Sequence, residues 1–197
     1  MINIKRKKPL IIFTGPSGVG KGTIEPFLFK SEKLKLQLSC STTTRKPREG
    51  EINGIHYFYI TKEKFEDHIK NNELIEYSFH FDNYYGTLYT ELDRILKLNK
   101  IPFLEIETNG AKQILEKMKN SEEYQVLTFF ILPPDLNELK RRILNRNTET
   151  QDAIQKRLKK AEEEIEDRHI FKYNILNDVP ERAASEIESI IIKEFNL

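Results

Sequence analysis

The sequence predicts an α/β fold: a central, mostly parallel sheet flanked by helices, interrupted by an inserted lobe and by a charged helical stretch. Three observations carry that expectation. Short apolar runs alternate with longer helical patterns, as a parallel sheet requires when each crossover is a helix. A glycine-rich turn follows the first apolar run directly, with a helical pattern behind it. The 197 residues suffice for one well-packed unit with lobes, and are too few for two large independent domains.

The first core strand is expected at Leu10 to Phe13, a short run bounded by glycine, with a helix from Lys21 to Leu28. Further core strands are expected at Ile101 to Ile106, Val126 to Leu132 and Tyr173 to Leu176, with helices opening at Asn109, Asp135 and Pro180. Asp135 is a good N-cap after Pro133-Pro134, and Glu138 completes a capping-box pattern. Between the first two core strands, residues 39–90 have a different texture, rich in Ser, Thr and Tyr with little strand-helix alternation. Pieces around Leu36 to Cys40 and Tyr57 to Ile60 predict a small sheet, and Lys62 to Asn71 one helix. In the charged stretch 137–167, Ile154, Leu158, Ala161 and Ile165 share one helical face, among charged neighbours that include Arg141, Arg142, Arg146 and Arg157. Its place after a core strand reads as a mobile lid. The chain then divides into core (1–38), inserted lobe (39–90), core (91–136), lid (137–167) and a closing core strand and helix (168–197).

Lys and Arg number 32 against 31 Asp and Glu, a formal net charge of +1. That balance argues against general binding to nucleic acid or to a membrane surface. A single cysteine, Cys40, excludes an internal disulfide framework and fits a reducing compartment. The start carries the basic cluster Lys5-Arg6-Lys7-Lys8 but too short an apolar run for a signal peptide, and nothing later is long enough to span a bilayer. A cytoplasmic monomer with small, specific partners is expected.

Residues 15–23 read Gly15-Pro16-Ser17-Gly18-Val19-Gly20-Lys21-Gly22-Thr23 and contain the phosphate-binding spacing G-x-x-x-x-G-K. Gly15, Gly18 and Gly20 permit the positive φ angles that wrap backbone N–H donors around an anion. The following helix adds its N-terminal dipole, and the Lys21 ammonium reaches the β- and γ-phosphates of a triphosphate such as ATP. Where the pattern has Ser or Thr for magnesium, this chain has Gly22. Mg2+ is then expected on phosphates and water, with Thr23 available to the metal or to an α-phosphate oxygen.

A triphosphate site alone leaves a GTPase, an ATPase and a small-molecule kinase open. Arg45 and Arg48 lie three apart in an extended segment held by Pro47, among hydroxyls and tyrosines. Two fixed guanidiniums there suit a bidentate grip on a second phosphate. The run SCSTTTRKPREGEINGIHYFYI, then NNELIEYSFHFDNYYGT, FLEIETNGA, LKRRILNRNTET with QKRL, and ILND, resembles the guanylate kinase family, colinearly from Pro9 to nearly the C-terminus.

That resemblance implies a nucleoside monophosphate kinase fold with a GMP-binding lobe and a helical lid. It implies phosphoryl transfer from ATP to GMP, and to dGMP, with Mg2+ as cofactor. Arg45, Arg48, Tyr57 and Tyr85 match the ligands of the GMP phosphate. Ser41, Glu76 and Thr87 match the guanine contacts, Thr87 standing where the family commonly has serine. Glu105 and Glu107 match an acidic pair at the end of the second core strand, whose second member is typically aspartate. Arg142, Arg146 and Arg157 match lid arginines that close over the triphosphate, and Asn177 an adenine contact.

The chemistry of guanine favours a carboxylate independently, because its N1–H and exocyclic amine are adjacent donors that one carboxylate meets with two acceptors. Adenine presents a lone pair at N1, a mismatch that polar sites of this sort reject by roughly 10⁴ to 10⁵. Two other readings stay open at this point. One is an AMP kinase, because the K-G-T ending is common among adenylate kinases; the other is an interaction module of the same fold that binds a phosphorylated peptide. His56, His68, His80 and His169 show no metal-ligand spacing, Cys40 reads as a small buried side chain, and Phe129-Phe130 as core packing.

Overall fold

The computed structural model describes residues 7–80, 82–144 and 151–197, the last segment with side chains from 154 onward. The chain opens with β1 (Lys8–Thr14), α1 (Lys21–Lys30) and β2 (Leu36–Leu38). It continues through β3 (Thr42–Thr43), β4 (Phe58–Tyr59), α2 (Lys62–Lys70), β5 (Leu74–His80), β6 (Asn83–Leu88) and α3 (Tyr89–Lys97). β7 (Ile101–Glu105), α4 (Thr108–Met118), β8 (Tyr124–Leu132), α5 (Leu136–Leu144) and α6 (Gln151–Glu166) follow, and β9 (Tyr173–Leu176) and α7 (Pro180–Phe195) close the chain.

β1 is the centre of a five-stranded parallel sheet in the order β2-β7-β1-β8-β9. Strand alternation sends Ile11 and Phe13 into one apolar cluster with Ile24 and Leu28 of α1 and Ile187 and Ile191 of α7. Leu10 and Ile12 enter a second cluster with Leu92 of α3 and Ile114 of α4. Helices cover both faces, which is why these strands read as continuous apolar runs. All five strands end on the same edge, and from β1 the chain runs first to β2 and β7 on one side and then crosses to β8 and β9 on the other. Open α/β sheets bind ligands in the crevice at such a divergence.

A second sheet, in the order β4-β3-β6-β5, lies within residues 39–90. The sequence places Leu36 to Cys40 there, and the structure corrects this. Leu36–Leu38 form β2, paired in parallel with Ile101–Phe103 of β7 at the edge of the main sheet. Leu36 and Ile101 are both buried in the first apolar cluster; burial decides a pairing that the local pattern leaves undetermined. β5, β6 and α3 were not legible. Both faces of the β5–β6 hairpin mix aromatic and polar side chains, which hides the period of two. One face carries Glu76, Ser78 and Tyr85, and the other stacks Tyr84 on Phe65 of α2 at 4.9 Å.

Asp135 caps α5 as expected, its Oδ1 accepting from the Glu138 N–H at 2.8 Å. The reciprocal half of the box is absent, because the Glu138 carboxylate accepts from Arg141 and Arg142 instead. On α6 the expected face is buried at Ala161, with Ile154, Leu158 and Ile165 partly buried against the core. Among the described residues no helix is long and apolar enough to cross a membrane.

Phe103 is fully buried between Phe13 and Phe29, with ring centroids at 5.0 and 5.3 Å. Phe103→Ala should lower the unfolding free energy by about 3–5 kcal/mol in urea denaturation; a loss below about 1 kcal/mol would contradict this packing.

Candidate active site

The glycine loop joins the C-terminal end of β1 to α1. Gly18 and Gly20 have φ of 87° and 94°, left-handed values that favour glycine. Four of the loop's carbonyls are tied to protein donors. Gly15 O accepts from Lys21 Nζ at 2.9 Å, Pro16 O from the Val19 N–H at 3.1 Å, and Gly20 O from Thr23 Oγ1 at 2.7 Å. Val19 O accepts from Arg142 Nη1 at 2.9 Å and Asn177 Nδ2 at 2.8 Å. With its carbonyls so held, the loop offers N–H groups and the α1 dipole to an anion.

Asn177 does not reach outward. Its side chain is buried, its amide donates to the Val19 and Gly20 carbonyls, and its Oδ1 has no partner among the described residues. In this arrangement the residue expected at the adenine braces the loop from beneath. Thr23 likewise donates its hydroxyl to Gly20 rather than projecting it into the site.

A cavity of about 340 Å³ opens beside the end of β7, lined by Ser41, Arg45, Arg48, Tyr57, Glu76 and Tyr85, with Glu105 and Glu107. Thr87, the remaining expected guanine contact, stands just behind it. The antiparallel register sets Glu76 opposite Thr87 and Ser78 opposite Tyr85, so alternation aims these four at one side. Glu105 connects the two halves. It lines the cavity and lies 3.9 Å from Lys21 Nζ.

Glu76 is 5% exposed, and Thr87 Oγ1 donates to its Oε1 at 2.8 Å. Ser41 Oγ lies 3.3 Å from the same Thr87 oxygen. Gly110, in the first turn of α4, makes room: a Cβ there would lie 2.7 Å from Glu76 Oε2. Burial pushes the Glu76 carboxyl up to about 7, while Thr87 and Lys117 pull it down and Glu107 adds to the rise.

Arg45 is locked from one side. Its Nη1 and Nη2 donate to the two Glu51 oxygens at 2.9 Å each, and Nη1 also donates to the Lys46 carbonyl at 2.9 Å. Glu51 Oε2 accepts further from the Arg48 N–H at 2.7 Å and the Tyr59 hydroxyl at 2.8 Å. The Arg45 hydrogen bonds, then that of Arg48, hold the Glu51 carboxyl down to about 2. Arg45 keeps Nε–H and one Nη2–H, a side edge suited to a bidentate anion. Its guanidinium lies 5.5 Å from the Tyr57 ring.

α6 approaches both halves. Lys160 Nζ donates to Glu107 Oε2 at 3.1 Å, and the Glu164 carboxyl, raised by burial, is drawn down in part by Lys160 and by Lys21 of the loop. Arg157 is half-buried on α6, and Arg146 lies outside the described residues. Sequence reasoning missed Glu51, Gly110 and His80, whose ring stacks on Tyr85 at 4.5 Å and which lines the cavity. It also missed Glu25, whose carboxyl is raised to about 7 by burial and by the charge of Glu105. Of these only Glu51 had a signal, an acid three residues after Arg48 in a glycine turn.

A model of the family described as guanylate kinase matches residues 6–194. A guanylate kinase of Mycoplasmopsis synoviae (strain 53) is 55% identical over 195 residues, 98% of each chain. One of Mycoplasmopsis pulmonis (strain UAB CTIP) is 54% identical over 194 residues, again 98% of each. Among solved structures, a guanylate kinase from Anaplasma phagocytophilum superposes with a TM-score of 0.70 at 29% identity, covering 96% of this chain and 87% of that one.

Isotope-edited NMR of the ligand-free protein should place the Glu76 titration midpoint near 7, as burial dictates. Thr87→Val removes the donor that favours the carboxylate, so it should move the midpoint upward; a midpoint near 4.5 in both proteins would contradict the burial argument.

Proposed function

The chain belongs to the guanylate kinase family and is an ATP:GMP phosphotransferase, and from that premise we propose which of its residues carry each step. The observation that carries the assignment is the single cavity that unites the buried Glu76 carboxyl with the open edge of Arg45 and shares Glu105 with Lys21 of the loop.

In this reading GMP, and by the same contacts dGMP, enters the cavity. The Glu76 carboxylate accepts from guanine N1–H and the exocyclic amine, with the Ser41 and Thr87 hydroxyls beside it. Arg45, Arg48, Tyr57 and Tyr85 grip the 5′-phosphate, and Glu105 and Glu107 flank the nucleoside. The triphosphate of ATP lies on the loop N–H groups and Lys21, with Arg142 and Arg157 against it; Arg146, also expected there, falls outside the described residues.

The attacking group is an oxygen of the GMP phosphate. It is already anionic, so no general base is needed, and the obstacle is the approach of two negatively charged groups. Lys21 and the arginines lower that repulsion and stay fixed while charge spreads over the transferred phosphoryl oxygens. The bond from the γ-phosphorus to its bridging oxygen breaks as the new one forms, leaving ADP and GDP.

Mg2+ fits beside the loop. Glu25 and Glu105 offer hard oxygen donors, and Glu25 Oε1 is buried without a partner among the described residues. Gly22 supplies no hydroxyl, although a Cβ there would meet nothing within 4 Å. When bound, the ion would neutralise charge on the phosphates.

Residues 39–90 act as the acceptor lobe and 137–167 as a lid whose closure excludes water from the donor. The Lys160–Glu107 pair at 3.1 Å supports a lid that reaches the acceptor side. A cytoplasmic monomer remains our reading of the near-neutral charge and single cysteine.

A coupled ADP-release assay should give kcat/KM for GMP at least about 10³ above that for AMP. Glu76→Gln faces one guanine donor with an amide donor, and should lower kcat/KM for GMP by about 10² or more. Faster turnover of AMP, or an unchanged Glu76→Gln enzyme, would sink the assignment.

A further inference from the structure

β5 is an outer strand of the small sheet, so one edge of its backbone has no strand partner. That edge packs against α4. Gly110, Gln113 and Lys117, spaced three and four apart on one helical face, meet it. Gln113 substitutes for a neighbouring strand: its Oε1 accepts from the Tyr77 N–H at 3.1 Å, and its Nε2 donates to the Tyr77 carbonyl at 2.7 Å. Lys117 Nζ donates to the carbonyls of Leu74 at 2.9 Å and Ile75 at 2.8 Å.

Those two carbonyls belong to consecutive residues, whereas a regular ladder turns neighbouring carbonyls to opposite edges. They stand at the register shift between Leu74 and Glu76. Continuing regularly from the Leu74–Leu88 pair would bring Ile75 opposite Thr87; the extra residue brings Glu76 there instead. The bulge that aims Glu76 into the cavity thus also creates a seat for an ammonium directly behind it.

We infer that Lys117 is a positioning residue for the reaction: the bulge carbonyls fix its ammonium behind Glu76, where it is the counter-charge to the guanine-binding carboxylate. This rests on reading Glu76 as the guanine ligand. Lys117 does not line the cavity and touches neither nucleotide in that reading. The other groups acting on Glu76 are Thr87 on β6, whose hydroxyl favours the carboxylate, and Glu107 ahead of α4, whose charge opposes it. Lys117 is the cation in that set, and its own proton affinity, lowered by burial, is raised again by Glu76. It keeps the carboxyl ready to accept from guanine at neutral pH.

The test is the ratio of KM for GMP, Lys117→Met over wild type, as a function of pH; titration of GMP itself cancels in that ratio. Loss of the counter-charge should raise the Glu76 midpoint by about one pH unit. The ratio should then be about five at pH 7 and approach one by pH 9, with kcat at saturating substrates unchanged. A ratio of one at pH 7, or one that is the same at pH 7 and pH 9, overturns the proposal. If Lys117→Met does not fold, Lys117→Gln, which keeps a donor for the bulge carbonyls without the charge, is judged on the same ratio. Failure of the Glu76 reading is distinguishable, because Glu76→Gln would then match the wild-type KM for GMP whatever Lys117 does.

Discussion

The hydrogen bond from Thr87 to the buried Glu76 carboxyl, 2.8 Å long, is the interaction on which the acceptor site depends. A carboxylate taken out of water is unfavourable unless donors replace the lost hydration. The protein's own groups supply few. Thr87 gives one hydrogen bond and Lys117 a charge, and Gly110 lets the group sit against the first turn of α4. The carboxyl is consequently left near 7. Being raised above its unfolded value, it contributes stability fully present below about 4.5 and lost as pH rises through 7. In the proposed reading, the site gives up stability to hold an acceptor that guanine's two donors complete.

The second constraint is electrostatic. Two phosphate groups must approach each other, so cations have to be present and held still before either arrives. Fixing a cation requires acceptors, and those must not occupy the edge proposed for substrate. Glu51 meets that condition for Arg45 by taking the end of the guanidinium and leaving its side. Val19 O and Glu138 do the same for Arg142, and Gly15 O for Lys21. Glu105 stands between the halves, near enough to Lys21 to link donor loop and acceptor cavity.

The main sheet was legible because both its faces are buried, so apolar runs and glycine punctuation mark its strands directly. The glycine loop was legible because its spacing is a backbone requirement. The hairpin of β5 and β6 was not, since a binding face replaces one apolar stripe with Glu76, Ser78 and Tyr85 and erases the alternation. β2 was assigned to the wrong sheet because three residues cannot specify a partner. Residues that act on the site from behind, Gly110, Gln113 and Lys117, carry no local signature; helical spacing matters only once α4 is known to face β5. Asn177 shows the reverse limit. The resemblance places it at the adenine, but its orientation under the loop depends on hydrogen bonds to Val19 and Gly20 that no pattern encodes. Family membership closes the choice that the K-G-T ending left open between AMP and GMP.

The central proposal is that guanine binds a carboxylate which the protein by itself holds partly protonated. Calorimetric titration of GMP into the protein, in buffers of different ionisation enthalpy, counts the protons exchanged. With a midpoint near 7, binding at pH 7 should release about half a proton from Glu76, falling towards none by pH 9, and Glu76→Gln should lack that component. The same proton count in wild type and Glu76→Gln at pH 7 would contradict the account.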